Sequence, residues 1–431
     1  MAPRAARGHG AGPVRGLDVT TSVDVASPAP AAPRAASLAT LFFTVFLDLL
    51  GFGLVIPFLP GLARDLGAGN FVATLPGAAY SLMQFLFIPV WGRLSDRVGR
   101  RPVLLWSIAA SAFGMAMLGF GHSLLWLFVA RLWSGIATAN IAVAQAYIAD
   151  VTTPETRARG MGMIGIAFGL GFIFGPAVGG VLSRYPVPGF AQVGALPALV
   201  AAGLSTINLL LALRTLPESL PPQARGRSVR RAVPLDLQAF RAAVRVPGVG
   251  VAVATNFFVI LWFSGMEQTF RLFTDDVFGM TAAATGAIFT VVGVVGAGVQ
   301  GGLVHRLARR FGEARLIIAG PLVLAVAFAL LGASPIFGGA ARVALYVASG
   351  LIALGNGIVT PCLPAYVSRR AQATEQGLSL GTLQSASALG RVVGPALGGV
   401  LYSTFSPTAP YTIGAVGLLV AAVVAAARLP D

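Results

Sequence analysis

Lysine is missing from this chain of 431 residues; all 30 basic residues are arginine. That reads as coding bias and carries no functional message, because the two residues serve topology alike. Acids are scarce as well, at 15, and charged residues make up 10% of the chain against 56% hydrophobic. So apolar a composition excludes an ordinary soluble protein. It points to helices that cross a bilayer, each of about 20 residues for ~30 Å of hydrocarbon. The lone Cys362 excludes an intrachain disulfide and a cysteine-based metal cluster. His9, His122 and His305 lack metal-ligand spacing, so neither a metal nor another cofactor is expected. No Ser/His/Asp or Cys/His constellation falls within the apolar runs, so an enzyme is not expected either. A net charge of +15 would signal nucleic acid in a soluble chain. Here the arginines cluster in short connections between apolar runs, which the cost of translocating them explains, and no nucleic-acid partner is expected.

What the chain does have is apolar runs. Twelve can be drawn, roughly 38–62, 70–91, 103–121, 124–147, 160–183, 195–216, 248–271, 281–304, 314–334, 341–366, 378–402 and 409–428. With both termini in the cytoplasm, Arg64, Arg184, Arg271 and Arg342 fall outside, Arg131 and Arg391 fall within spans, and the other 24 of the 30 lie inside. The reverse orientation would translocate most of them. The reading is therefore a multi-pass protein of the cytoplasmic (inner or plasma) membrane, with the lipid bilayer as its partner. Residues 1–37 hold no secretory signal and read as a disordered cytoplasmic tail. Residues 217–247, rich in Pro and Arg, read as a cytoplasmic linker between six-helix bundles at 38–216 and 248–428.

Internal repetition points the same way. Leu170-Gly171-Phe172-Ile173-Phe174-Gly175-Pro176-Ala177-Val178-Gly179-Gly180-Val181-Leu182 recurs 219 residues later, from Leu389 to Leu401, with nine of thirteen positions identical. Two pseudo-symmetric halves in an all-α membrane fold are the architecture such a repeat implies.

Between the second and third runs lies Gly92-Arg93-Leu94-Ser95-Asp96-Arg97-Val98-Gly99-Arg100-Arg101-Pro102. By pattern it is a tight basic loop, its glycines allowing close approach or positive φ. A degraded counterpart, Gly301-Gly302-Leu303-Val304-His305-Arg306, follows in the second half. The first copy resembles the signature loop of the major facilitator superfamily. That resemblance implies a transporter with twelve membrane helices that works by alternating access, with small-molecule substrate and protons as its partners. It is expected to be a monomer. The loop would latch the cytoplasmic end, with Asp96 as latch acid and Arg97, Arg100 and Arg101 as its basic partners. Asp150, ending helix 4, either completes that network or is a solvated acid. Gly165, Gly171, Gly175, Pro176, Gly179 and Gly180 resemble the helix-5 motif of antiporters in the superfamily, where a kinked helix seals the interface between halves. By physics alone the same residues serve close helix packing.

Charges inside spans are expensive and are candidate functional groups. Asp48 lies about ten residues, roughly 15 Å, into helix 1. A carboxyl at that depth either takes up and releases protons or stays paired with Arg131. Arg131, in Arg131-Leu132-Trp133-Ser134-Gly135, resembles the helix-4 arginine motif of proton-driven members, where it tunes a buried acid. Glu267, towards the outer end of helix 7, either faces the cavity or sits at its mouth, and Glu267 is one possible partner for Arg391 in helix 11. Gln84, Asn140, Gln145, Asn208, Asn256, Gln300, Asn356 and Gln384 are uncharged polar groups inside spans, some expected to line a cavity and others to bond between helices. Of these, Asn140, Asn256, Asn356 and Gln384 are assigned to the cavity.

Two stretches, Phe46–Pro57 and Ala146–Thr152, resemble tetracycline-type exporters within the drug:proton antiporter group. Helices 3 and 9 lack the membrane acids of those exporters, which argues against tetracycline itself as the substrate. The expectation is a proton-coupled exporter of drugs or amphipathic metabolites. A proton-coupled importer of an organic solute, or a non-transporting sensor on the same fold, stays open.

Overall fold

A computed structural model describes residues 35–138, 140–152, 154–183, 185, 195–226, 241, 244–370 and 376–429. No strand occurs among them. In the first half, α1 (Ala35–Val55) passes through a 3-10 turn at Ile56–Phe58 into α2 (Leu59–Asp65). It is followed by α3 (Asn70–Val98), α4 (Arg100–Phe120), α5 (Leu124–Ala137), α6 (Asn140–Val151), α7 (Pro154–Leu182) and α8 (Ala195–Thr215). In the second half, α9 (Val249–Phe278) precedes α10 (Ala282–Gly298), a π turn at Val299–Leu303 and α11 (Val304–Phe311). Then come α12 (Glu313–Ala333), a 3-10 turn at Ser334–Ala340, α13 (Ala341–Arg370), α14 (Gln376–Thr404) and α15 (Ala409–Arg428). Among the described residues, eight helical stretches are long and apolar enough to cross a membrane, and one of them, Glu313–Arg370, has 58 residues, length enough for two.

The ends of these helices follow local chemistry. The Ser123 hydroxyl accepts from the Trp126 amide to start α5, and Thr281 does the same for Ala284 at α10. Gly279, at φ 60, ends α9 in the left-handed conformation that glycine adopts cheaply.

Two expectations need correction. The stretch 92–102 is not a loop: α3 runs on to Val98, Gly99 alone leaves the helix at φ 112 and ψ 160, and α4 starts at Arg100. A single residue with positive φ reverses the chain, which glycine permits without a Cβ clash. Nor is the fourth run one helix from 124 to 147, because α5 stops at Ala137 and α6 starts at Asn140. The expected tail lies outside the described residues except for its last three, which belong to α1; of the expected linker, 217–226, 241 and 244–247 are described.

Packing repeats between the halves. In the first half α1 lies against α7 and α8, and α4 against α8; in the second α9 lies against α14 and α15, and α12 against α15. Helices α3 with α14, and α7 with α10, join one half to the other. An apolar core that includes Leu54, Leu59 and Leu127 continues into Phe273, Phe328 and Tyr411 of the second half. A separate cluster around Leu41, Leu104, Tyr147 and Leu216 fills the first half near the ends of α1 and α8.

Glycine makes the seams possible. A Cβ on Gly171 would stand 2.7 Å from that of Leu49, and one on Gly175 would stand 2.6 Å from the Gly53 Cα. The repeat does the same against α9: a Cβ on Gly394 would stand 3.1 Å from the Gly265 amide, and one on Gly398 would stand 3.0 Å from the Gly265 carbonyl. Helices α7 and α14 run on through Pro176 and Pro395. Gly175→Val is expected to force α1 from α7 and to destabilise the protein by about 1–3 kcal/mol. Thermal unfolding in detergent checks this against Gly203→Ala, where nothing crowds a Cβ and a small gain in helix stability, about 0.5–1 kcal/mol, is expected.

Candidate functional site

The elbow at Gly99 carries a dense charge network. Arg100, the first residue of α4, is buried at 8% exposure. Its guanidinium is 2.6 Å from the Asp96 carboxylate and 3.0 Å from that of Asp150, and it donates to the Ser95 hydroxyl at 2.7 Å. Asp150 also accepts from the Ser219 hydroxyl at 3.1 Å. The structure thus brings together Asp96, Arg100 and Asp150 of the residues picked from sequence. Arg101 turns away and donates to the Leu213 carbonyl at 2.8 Å, and Arg97 is exposed. Gly92, about two turns before the elbow, has open space beside it.

The acid that completes this network was not picked from sequence. Glu218 lies just past α8, and its Oε1 accepts from the backbone amides of Arg100, Ser219 and Leu220 at 2.8, 3.0 and 3.1 Å. A carboxylate placed there satisfies orphan N–H groups at the start of α4 and meets the positive end of its dipole. Arg225 approaches its other oxygen at 3.7 Å, and the Gly226 amide donates to the Asp96 carbonyl at 3.0 Å. A Cβ on Gly99 would strike the Glu218 carboxylate. The sequence signal was available in outline, as Leu-Pro-Glu-Ser directly after an apolar run, but its partner lies 118 residues away.

Midway along the bundle, the break between α5 and α6 is repaired by side chains. The Thr138 hydroxyl donates to the Ser134 carbonyl at 2.6 Å. The Trp91 indole donates to the Ile136 carbonyl at 2.6 Å, and Ser107 donates to that of Ala137. Carbonyls freed by a helix break in hydrocarbon need such partners. Tyr80 joins through a 3.0 Å hydroxyl contact with Thr138.

Arg131 sits about two turns before this break at 1% exposure. Its guanidinium lies 4.5 Å from the centre of the Tyr80 ring and 5.9 Å from that of Phe52. None of its three nitrogens has a hydrogen-bond partner among the described residues. The ion pair with Asp48 that the sequence left open is therefore not how Arg131 is held; aromatic faces hold it. Asp48 lies one helical turn before Phe52 on α1. Tyr80 is within electrostatic range of Asp48, Arg131 and, from the second half, Arg391. Arg391 and Glu267 are within electrostatic range of each other, without a contact ion pair between them among the described residues.

The polar residues divide. Asn256 is not a cavity residue: it is buried and its amide donates to the Leu383 carbonyl at 3.0 Å and the Ser387 hydroxyl at 2.6 Å, tying α9 to α14. Asn208 likewise ties α8 to the Thr44 carbonyl of α1 at 3.1 Å. Asn356 accepts from Thr360 at 3.1 Å, and Gln384 is exposed. Gln84 and Gln145 are half-buried, and Gln300 is exposed on the π turn. The side chains of Asn140 and Gly165 lie outside the described residues.

At the opposite end of the bundle the halves touch. Arg64 donates to Asp276 at 2.8 Å, and the Tyr402 hydroxyl donates to its other oxygen at 2.6 Å. Gly180 meets Gly286 there, a Cβ on the first standing 2.7 Å from the Cα of the second, and Gly399 meets Phe71 and Thr74 of α3. Of the helix-5 glycines, Gly171, Gly175 and Gly179 thus face α1, and Gly180 faces the other half.

The family model of the Major Facilitator Superfamily matches residues 41–345 and 303–431. The chain belongs to that superfamily. Among relatives of this major facilitator protein, the class C tetracycline resistance protein of Escherichia coli is 35% identical over 376 residues, covering 86% of this chain and 91% of the relative. Major facilitator superfamily domain-containing protein 10 of Bos taurus is 31% identical over 430 residues, covering 89% and 90%. The crystal structure of the human organic anion transporter MFSD10 matches with a TM-score of 0.69 at 27% identity, covering 92% of this chain and all of that one. The protein is thus an integral, multi-pass membrane transporter of the major facilitator fold, acting on small molecules.

Tyr80 is the residue on which the midspan group converges. Tyr80→Phe keeps the ring beneath Arg131 and loses only the hydroxyl contact, so a folded protein of near-native melting temperature is expected. Tyr80→Leu removes the ring face from a desolvated guanidinium and is expected to cost about 2 kcal/mol. Equal melting temperatures for the two variants would remove the ring from the account.

Proposed function

We propose that this transporter is a proton-coupled exporter of amphipathic organic solutes. The observation that carries the reading is the midspan group: Tyr80 is within electrostatic range of Asp48 and Arg131 on the first half and of Arg391 on the second, and Arg391 is within range of Glu267. Such charges are costly in hydrocarbon and mark substrate and ion pathways, and transporters of this kind place their sites near the midplane where helices are broken. The break at Thr138 beside Tyr80 and Arg131 fits that pattern.

A proton on Asp48 neutralises the acid that faces Tyr80 and changes the balance of charge between the halves; substrate then competes with or follows the proton. The halves rock about the glycine contacts of α7 with α10 and α3 with α14. The tie between Arg64, Asp276 and Tyr402 holds the outer end, and the Arg100 network forms the cytoplasmic gate. Both termini are cytoplasmic in this reading, because most arginines then remain inside, and two six-helix bundles at 38–216 and 248–428 are the moving bodies. Export is supported by the relatives named as tetracycline resistance proteins. Organic anions are a second substrate reading. Two midspan arginines favour it, as does the likeness to the human organic anion transporter MFSD10.

In proteoliposomes with an internal pH dye, a panel of lipophilic drugs and organic anions is expected to trigger proton movement. Asp48→Asn is expected to abolish that signal while preserving the gel-filtration profile. Undiminished uphill transport by Asp48→Asn would remove this acid from the mechanism, and substrate moving inward with protons would make the protein an importer.

A further inference from the structure

The elbow at Gly99 has a twin. Gly312 separates α11 from α12 with φ 79 and ψ 158, close to the φ 112 and ψ 160 of Gly99. The ion pairs beside the two elbows correspond, with their signs exchanged. At the first, Arg100 opens α4 and pairs with Asp150 at the end of α6. At the second, Glu313 opens α12 and pairs with Arg369 at the end of α13. Arg369 stands 219 residues after Asp150, the interval of the Gly/Pro repeat.

The sites differ in what fills them. At the first elbow the Glu218 carboxylate occupies the start of α4, so tightly that Gly99 has no room for a Cβ. At the second, nothing lies within 4 Å of a Cβ built on Gly312. A cavity of about 490 Å³ opens there instead, its lining including Gly312, Glu313, Arg315, Tyr366, Arg369 and Arg370. Three arginines face one glutamate, the α12 start has no side-chain cap, and the Arg370 guanidinium lies 5.2 Å from the centre of the Tyr366 ring. Arg306, Arg309 and Arg310 of the neighbouring α11 add to the positive field.

We infer that this cavity is an anion site that takes a phosphate group, and that the phosphate belongs to the headgroup of an anionic phospholipid. Arginine forks match phosphate oxygens in number and geometry, and an uncapped helix start offers further donors. The place argues for lipid over a soluble anion: basic pockets at the ends of membrane helices lie at headgroup depth. The chain itself offers competing acids in Glu375, five residues after Arg370, and Asp431. Leu429-Pro430-Asp431 repeats Leu216-Pro217-Glu218, and Asp431 lies outside the described residues. Among the described lining residues, arginine outnumbers acid three to one.

The test is native mass spectrometry of the full chain, delipidated in neutral detergent and titrated with phosphatidylglycerol or phosphatidylcholine. One phosphatidylglycerol is expected to bind at least tenfold more tightly than phosphatidylcholine. The double variant Arg315→Gln/Arg370→Gln is expected to lose that preference, its charge-conserving Lys/Lys counterpart to recover part of it, and Arg342→Gln at the far end to keep it. Displacement of the lipid by millimolar inorganic phosphate would keep the anion site and overturn the lipid as its source. Phosphatidylglycerol binding unchanged in the Gln/Gln variant, or seen only in Asp431→Asn, would overturn the proposal.

Discussion

Hydrocarbon offers helices no hydrophobic reason to associate, since lipid tails are as apolar as leucine. What holds this bundle is close approach, and close approach depends on glycine. Gly171, Gly175 and Gly179 bring α7 onto α1, and Gly390, Gly394 and Gly398 bring α14 onto α9. These two seams set the spacing for everything else. Asn208 and Asn256 reach a carbonyl of the neighbouring helix only because the backbones are near, and Gly180 and Gly399 carry the same device to the contact between halves.

Much of this was legible in the chain, for a physical reason. Span length and arginine placement are dictated by the bilayer, so the apolar runs could be read directly; the glycine repeat shows on comparing 170–182 with 389–401, and the family rested on the resemblance of 92–102 to its signature stretch. The elbow could not, because whether a Gly-rich basic stretch is a loop or one residue between two helices depends on what satisfies the freed amides. That partner, Glu218, is remote in sequence. The fourth run looked continuous because Thr138 is a tolerable helix residue; only the indole of Trp91 and the hydroxyls of Ser107 and Tyr80, from other helices, make a break there affordable. Arg131 was read as a partner for an acid, since charge pairs with charge in the commonest case. Its actual neighbours are ring faces, which a list of charges does not display.

The two ends of the bundle are built on different principles. The end near Arg64 and Asp276 joins the halves through glycine contacts, a shared apolar core and a partly exposed ion pair. An exposed pair is worth little, so it can be made and broken without much cost. The end near Arg100 is knit within the first half by charge-assisted bonds that converge on one buried guanidinium and carry more energy each. The proposed cycle benefits from that asymmetry: one closure is cheap to release, while the other end keeps its internal order.

A turn of one residue leaves no slack. Because Gly99 alone separates α3 from α4, neither helix can slide or tilt without dragging the other, and the two behave as arms of one lever. The chain after α8 is strapped to that lever through Glu218 and Gly226. The chain that joins the two halves is therefore fixed to the first of them as far as Gly226, so the span left to it begins eleven residues after α8 ends. Under the proposed rocking of the halves, shortening the segment beyond that point would restrict the stroke before it disturbed the fold.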